Sequence, residues 1–214
     1  LETIPASMLK VVQQYIPSLF PLKKGSKVLD NNFKFDVYLS NAELFKKMFF
    51  IPLDIHFPVT LKGYVNDVDG RLQVEGAFPS LTYNGTLYES GTLFCENPSN
   101  QLNCRLRGNM LMGSGAMLTL SVNAEAEQDR LKTKVNWGNN TDVTYGGEFS
   151  AITRFSKTKG KSPILQADID ILPTTVVLND TIWNIRSSHV AIDSGRVHVD
   201  NFLFERPGQY LRID

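Results

Sequence analysis

Short runs in which apolar and polar residues alternate dominate this sequence of 214 residues. The segment "NFKFDVYLS" places an apolar residue at every second position, and "MLTLSVNAEAE", "DRLKTKVNWGN" and "LQADIDI" repeat the pattern. Successive side chains of a strand point to opposite faces of a sheet, so each run predicts a β-strand with one apolar face. Hairpin signals such as Asp69-Gly70 and Asn84-Gly85 separate the runs at intervals too short for crossover helices. The sequence therefore predicts about a dozen antiparallel strands in sequential order.

The apolar face of such a sheet needs cover, and an open sheet of this size usually curls or splits. We therefore expect a mainly β fold, a long antiparallel meander folded over lengthwise into an open groove. A β-sandwich or barrel that fills the same space with side chains is the alternative. Near the end of the chain, the alternation shifts by one residue at Asp200-Asn201, which predicts a β-bulge there.

Two short α-helices are predicted near the N-terminus. In the segment 6–20, apolar residues recur close to helical spacing, and Pro17 should end or kink the last turn. Ser40 and Glu43 form a capping-box pattern for a second helix that reaches Phe49. Its apolar stripe predicts a helix packed on the core or against the end of the sheet.

The expected organisation is one continuous elongated domain with two parts. Residues 1–50 are predicted to form a helix, a strand and the capped second helix, packed on the sheet. Residues 51–214 are predicted to form the meander that makes the groove. Because the sequence begins with Leu1 and ends in a strand-like segment, we expect it to be part of a longer protein.

The two cysteines of the chain flank a turn in the segment "LFCENPSNQLNCRL". A turn centred between Ser99 and Asn100 places Cys95 opposite Cys104, with Cβ atoms roughly 4.5 Å apart, near the separation that a disulfide requires. No second cysteine pair or nearby histidine completes a metal site. The residues alone allow a disulfide in an oxidising compartment or two reduced, half-buried thiols.

Composition and motifs favour no catalytic, metal or nucleic-acid site. Lys plus Arg and Asp plus Glu number 22 each, so no basic surface for nucleic acid is indicated. The 3 histidines lack ligand spacing, "NDVDGRL" lacks the later ligands of a calcium loop, and "GSGAM" lacks the nucleophile-elbow pattern. Asp168 and Asp170 share a strand face that should be solvated, unlike a general acid–base pair. We therefore predict a protein that is not an enzyme and expect no cofactor.

The C-terminal third combines glycine turns with short apolar strands. From Asn179 it reads "NDTIWNIRSSHVAIDSGRVHVDNFLFERPGQYLRID", with "WNI", "RVHVDNF" and "QYLRI" as strand motifs. Earlier, "TLKGYVNDVDGRLQVEGAFPSLTYNG" alternates glycine with apolar residues in strand pairs. These features resemble the TamB proteins, the large AsmA-like family of Gram-negative envelope proteins, in the form found in Bacteroidetes-type chains. The resemblance extends from Phe33 onward and does not include residues 1–32 or the cysteine hairpin.

The resemblance implies a folded-over β-sheet with an apolar inner groove, in a periplasmic bridge anchored to the inner membrane by a segment outside this sequence. It implies phospholipid transport between the membranes or outer-membrane assembly, alongside an outer-membrane barrel partner of the Omp85 type. In an oxidising periplasm, Cys95 and Cys104 should be paired. The expected ligands are phospholipid acyl chains, since each buried methylene contributes about 0.8 kcal/mol. The residues expected to line the groove are Leu118, Leu120, Val122, Val135, Trp137, Ile169 and Ile171.

Two other interpretations remain open. The same apolar residues would also suit the filled core of a β-sandwich. The chain would alternatively be a periplasmic or cell-surface binding or scaffolding module that uses Tyr83, Tyr88 and Tyr145 on turns and strand ends. A lipid conduit predicts an apolar face that stays unfilled, whereas a binding module predicts a closed core with aromatic residues on its loops.

Overall fold

A single antiparallel sheet contains every strand of the computed structural model, which describes residues 3–20, 31–43, 46, 52–139, 145–159, 163–193 and 195–213. The sheet has 16 strands and does not close on itself. One α-helix, α1 (Thr3–Val12), precedes it among the described residues. The predicted fold class is therefore confirmed: a mainly β, open antiparallel meander with a short helix near the N-terminus.

The strands follow one another mostly as hairpins, at the turn signals that the sequence predicts. Asn84 and Gly85 both have positive φ, as does Gly70 at the end of the preceding turn. The strands are β1 (Asn32–Leu39), β2 (Leu53–Ile55), β3 (Val59–Asn66), β4 (Arg71–Tyr83), β5 (Thr86–Glu96), β6 (Leu102–Leu111), β7 (Met117–Glu127), β8 (Arg130–Gly138), β9 (Gly146–Lys157), β10 (Leu165–Ile171), β11 (Thr174–Leu178), β12 (Thr181–Ile185), β13 (Ser188–Asp193), β14 (Arg196–Asp200), β15 (Phe202–Arg206) and β16 (Gln209–Ile213).

The sheet divides into two branches at β9. The first branch is β10, β13 and β14, and the second is β11, β12, β15 and β16. β9 pairs with both, through Ala151 to Lys157 on one side of the fork and through Gly146 and Gly147 on the other. At Asp200-Asn201 the prediction was a bulge within one strand. The structure instead ends β14 there, and Asn201, with φ of 57°, turns the chain into the other branch.

The cysteine hairpin has the register that its sequence predicts. Cys95 in β5 lies opposite Cys104 in β6, and the neighbouring pair is Leu93 and Leu106. The turn contains Asn100, whose φ is 54°, as expected of an asparagine in a tight turn. The two Sγ atoms form a disulfide.

The helix α1 and the residues after it lie across one end of the strands, at the turns before β4, after β5 and before β8. Lys10 contacts Asp67 in the turn before β4, at 3.0 Å. Ser18 donates from its amide and its hydroxyl to the Asp129 carboxylate in the turn before β8, at 2.8 and 2.9 Å. Between them, the side-chain amide of Asn97 after β5 donates to the Tyr15 hydroxyl at 2.6 Å. This segment therefore crosses the sheet from β3 to β8.

One apolar core joins this segment to the same end of the strands. Val11 is fully buried, and Tyr15 and Ile16 are nearly so. The strand residues of the same cluster are Phe35, Val65, Leu72, Val74, Leu102 and Ala126. This cluster thus lies at the end of the sheet that the N-terminal segment covers.

The first predicted helix differs in detail from the structure, and most of the second cannot be compared. The first ends at Val12, several residues before Pro17, and continues as turns in which Ile16 donates to the Val12 carbonyl and Phe20 to the Ile16 carbonyl. At the predicted start of the second, the Glu43 amide donates to the Asn41 side chain at 3.2 Å. Residues 44, 45 and 47–49 of that predicted helix lie outside the described residues.

We expect acid to weaken the attachment of α1 to the sheet, because α1 contacts the Asp67 carboxylate through Lys10. The Asp67 side chain is 1% exposed. Burial raises the pKa of this carboxyl, but hydrogen bonds from the Asn31 amide, Lys10 and Ser7 outweigh that effect and hold the pKa below its ordinary value. The folded pKa thus lies below the unfolded one. The stabilisation is present in full above the unfolded pKa, near about 3.9, and is lost as the pH falls through the folded pKa.

The variant Asp67→Asn tests this expectation in urea unfolding across the acid range. At pH 7, we expect it to lower the free energy of unfolding by about 1 to 3 kcal/mol, because charged hydrogen bonds at a buried site are lost. The difference between the two proteins should shrink below about pH 4. A difference that stays constant down to the lowest pH would show that the carboxylate charge is not what holds α1.

Candidate functional site

One face of the sheet is apolar, because directly opposed residues of neighbouring strands share a face. We call it the apolar face. One row of opposed residues on it is Val37, Leu61, Gly76, Leu93, Leu106, Val122, Val135 and Phe149. A second row is Gly108, Leu120, Trp137, Gly147, Val176 and Trp183. The face therefore extends across the fork at β9 into the second branch.

The apolar face is closely covered at the end next to α1 and is exposed at only some positions beyond it. Next to α1, Val65 and Val74 are almost completely buried. Leu106, in the middle of β6 between Leu93 and Val122, is 41% exposed. In the first branch, Val197 opposes Ile192 and is 65% exposed. Leu118, Ile171 and Val176 share this face and are buried although they are not part of the cluster that α1 joins. The exposed apolar surface is therefore limited to positions such as Leu106 and Val197.

Three aromatic rings of this face lie over glycines of the neighbouring strand. A Cβ on Gly91 would lie 1.6 Å from the Phe78 ring, and one on Gly147 would lie 2.7 Å from the Trp137 ring. Phe35 occupies the corresponding space above Gly63. Glycine permits this close approach because it lacks the side chain that would meet the ring. The rings consequently lie along the sheet and enlarge its apolar face.

The structure places all seven residues predicted to line the groove on the apolar face. Leu118, Leu120 and Val122 alternate along β7, and Trp137 and Val135 oppose the last two across β8. Ile169 and Ile171 reach the same face through the register of β10 with β9, where they oppose Thr153 and Ala151. Leu118 and Ile171 are buried, and the other five are partly exposed.

The sequence interpretation missed residues of this face in β4 to β6, in β9 and in the second branch. The apolar-face residues not predicted include Phe78, Leu93, Leu106, Phe149, Trp183 and Phe204. In β4 and β5, glycines replace apolar residues at Gly76 and Gly91, so simple alternation is weak there. The available signal was the glycine–aromatic pair across a hairpin, which only the register makes visible.

The three tyrosines of the binding-module interpretation do not form one exposed set. Tyr83 at the end of β4 is exposed, whereas Tyr88 in β5 is partly buried opposite Leu81 and Met110. Tyr145 precedes β9 and is also partly buried. They therefore occupy two separate places on the sheet.

The opposite, polar face carries a charged cluster in β9, β10 and β13. Arg154 and Asp170 are 2.6 Å apart, and His189 Nδ1 lies 3.0 Å from the other oxygen of Asp170. The hydrogen bond from Arg154, followed by that from His189, holds the pKa of the Asp170 carboxyl below its ordinary value. Asp168 is exposed, 3.5 Å from His189. An ionised carboxylate paired with arginine is poorly suited to donate a proton, so the cluster does not resemble a general acid–base pair.

A surface cavity of about 590 Å³ lies on strands β5 to β9 and Leu172. Its charged lining residues are Glu96, Arg105, Glu125, Lys132 and Lys134. Lys132 lies 3.6 Å from Glu125, and Lys134 lies 2.7 Å from Glu148. Because its charges are of both signs and largely paired, the cavity selects no charged ligand.

The described residues contain no group of three or more His, Cys, Asp or Glu side chains arranged to hold a metal ion. Within the same part of the chain, no helix is long and apolar enough to cross a membrane. Comparison with known proteins gives no match to a protein-family model, a curated protein or a solved structure. The candidate site therefore rests on the fold and on the apolar face alone.

Proposed function

We propose that the protein binds lipid acyl chains along its apolar face and performs no catalysis. The observation that carries the proposal is the exposure of part of that face beyond α1, where Leu106 in the middle of β6 is 41% exposed. Exposed contiguous apolar surface on a soluble domain marks a place where another apolar group binds. A sheet that was the inner layer of a filled sandwich would bury such a residue against a second layer.

The dimensions of the apolar face suit a linear hydrocarbon chain. From β4 to β9 the strands are consecutive neighbours, so the face spans about 24 Å at roughly 4.8 Å per strand. A chain that lies across these strands contacts leucine, valine and aromatic side chains along its length. Ten buried methylenes contribute about 8 kcal/mol, before the cost of association is subtracted. Because the sheet is open on this side, a polar headgroup remains in water.

The resemblance to AsmA-like envelope proteins supports a wider proposal. In it, the chain is a non-enzymatic periplasmic segment of a bridge between two membranes, and the acyl chains belong to phospholipids in transport or in outer-membrane assembly. An anchor in the inner membrane and an Omp85-type barrel at the outer membrane complete the proposed assembly. The disulfide between Cys95 and Cys104 is compatible with an oxidising compartment of this kind.

Photocrosslinking in living cells tests the binding face directly. A photoreactive amino acid at Leu106 is expected to give phospholipid adducts, identified by mass spectrometry of the purified protein. The same amino acid at Arg107, the next residue of β6, is the matched control, because Arg107 is exposed on the polar face opposite Ser121. Equal lipid labelling at both positions, or protein adducts alone at Leu106, would contradict the proposal.

A further inference from the structure

A single arginine lies at the edge of the apolar face in the second branch. Phe204 opposes Ile185 on one side and Leu211 on the other, and Arg206 opposes Gln209 two residues further along the same face of β15. The guanidinium carbon of Arg206 lies 4.9 Å from the centre of the Trp183 ring. Trp183 in turn stacks on Phe204, with ring centres 4.7 Å apart. A cation is thus fixed on an aromatic surface next to exposed apolar residues.

The hydrogen bonds of Arg206 leave most of its donors available. Its Nε donates to Gln209 Oε1 at 2.8 Å, and no carboxylate pairs with it in the part of the chain that the structure describes. The neighbouring Arg186 differs, because on the polar face its guanidinium lies 2.6 Å from Glu205. Arg206 is therefore a positive charge with a fixed orientation and without a carboxylate partner among the described residues.

The wider charge pattern of this part of the apolar face has one sign. From β6 onward, the described strand positions that share this face contain Lys157 and Arg206 but no aspartate or glutamate. Carboxylates of the same strands, such as Glu125 in β7 and Glu205 in β15, occupy the other face. A ligand on this part of the apolar face would therefore meet positive charge only.

We propose that Trp183, Arg206 and Gln209 form a binding site for the phosphate of a lipid headgroup. This inference rests on the proposed function, because the acyl chains of the same lipid would lie on Phe204, Leu211 and Ile213. The Nη groups of Arg206 match two phosphate oxygens, and such bidentate pairs are among the stronger hydrogen bonds. The hydrogen bond to Gln209 and the stacking on Trp183 hold the guanidinium in place, so less side-chain entropy is lost on binding. The apolar surroundings strengthen the interaction relative to water.

Two lipids that differ only in the phosphate test the site. Dioctanoyl phosphatidic acid and dioctanoylglycerol are titrated into the full chain and followed by calorimetry. We expect the phosphatidic acid to bind about tenfold more tightly, which corresponds to about 1.4 kcal/mol. In Arg206→Gln this ratio should fall to about one, while the affinity for dioctanoylglycerol stays within about twofold. Arg186→Gln, which removes the same charge from the polar face, should keep the tenfold ratio.

The outcomes separate this inference from the proposed function. If both lipids bind equally to the unmodified protein, the apolar face binds acyl chains and the phosphate site is wrong. If the ratio persists in Arg206→Gln, or is lost equally in Arg186→Gln, Arg206 is not the phosphate ligand. If glycerol 3-phosphate binds as tightly as the phosphatidic acid, the site serves a free phosphate and not a lipid. If neither lipid binds, the proposed function itself is overturned.

Discussion

Replacing Val11 with aspartate is expected to lower the free energy of unfolding by about 3 to 5 kcal/mol, the largest effect of a single substitution that we predict. Val11 is 0% exposed and belongs to the core that α1 shares with the sheet. A carboxylate at this position has to be buried without a partner, or else α1 has to leave the sheet. Urea unfolding measures the loss of stability, and limited proteolysis within residues 7–18 detects a detached segment.

Leu9→Asp is the matched control, because it adds the same charge to the same helix on its outer side. Leu9 is 42% exposed. Its replacement should therefore change the free energy of unfolding by less than about 1 kcal/mol, through helix propensity alone. Equal destabilisation by the two variants would mean that the helix does not pack on the sheet as described. Increased proteolysis in Val11→Asp with unchanged urea unfolding would mean that α1 covers the sheet without stabilising it.

The local pattern of the sequence was sufficient for the fold class and for the cysteine register. Period-two alternation specified which face of each strand is apolar, and hairpin signals such as Asn84-Gly85 specified that neighbours in sequence are neighbours in the sheet. These features depend on residues close together in the chain. The same locality explains why Cys95 and Cys104, nine positions apart in the chain, could be placed opposite each other from the sequence.

The fork of the sheet and the position of α1 could not be predicted in this way. The second branch begins after Leu172-Pro173, where proline removes a backbone donor, yet the same dipeptide is equally compatible with an ordinary strand end. Likewise, the helical spacing of Met8, Val12, Tyr15 and Leu19 predicts that the N-terminal segment is amphipathic but not which strands it covers. That choice depends on Asp67, Asn97 and Asp129, which lie far along the chain in three different turns.

The sequence also could not predict which part of the apolar face stays uncovered, for the same reason. Alternation in β6 and β7 predicts an apolar face whether or not a second layer covers it, so the sequence left a groove and a filled sandwich both open. The choice depends on how far α1 reaches. The contacts of α1 and of the residues after it reach the turn before β8, and the apolar cluster that they join lies at that end of the strands. Leu106, higher on β6, therefore remains exposed.

Gly91→Ala is expected to lower the free energy of unfolding by about 1 to 3 kcal/mol, because the Phe78 ring occupies the space of the new methyl group. A Cβ at this position would lie 1.6 Å from one ring carbon and 1.9 Å from another. The φ of Gly91 is not in the left-handed region, so alanine strains the packing and not the backbone. The ring has to lift from the sheet into the apolar face. Urea unfolding measures the cost, and lipid binding at the same face should weaken with it.

Gly138→Ala provides the control, since a Cβ there would meet nothing within 4 Å. It should leave stability unchanged or raise it by up to about 1 kcal/mol, because alanine reduces the entropy of the unfolded chain. A double-mutant cycle with Phe78→Ala then isolates the contact. With the ring removed, Gly91→Ala should cost little further stability. If Gly91→Ala lowers the free energy of unfolding equally with and without the Phe78 ring, the ring does not lie on Gly91. The aromatic packing inferred for this part of the apolar face is then wrong.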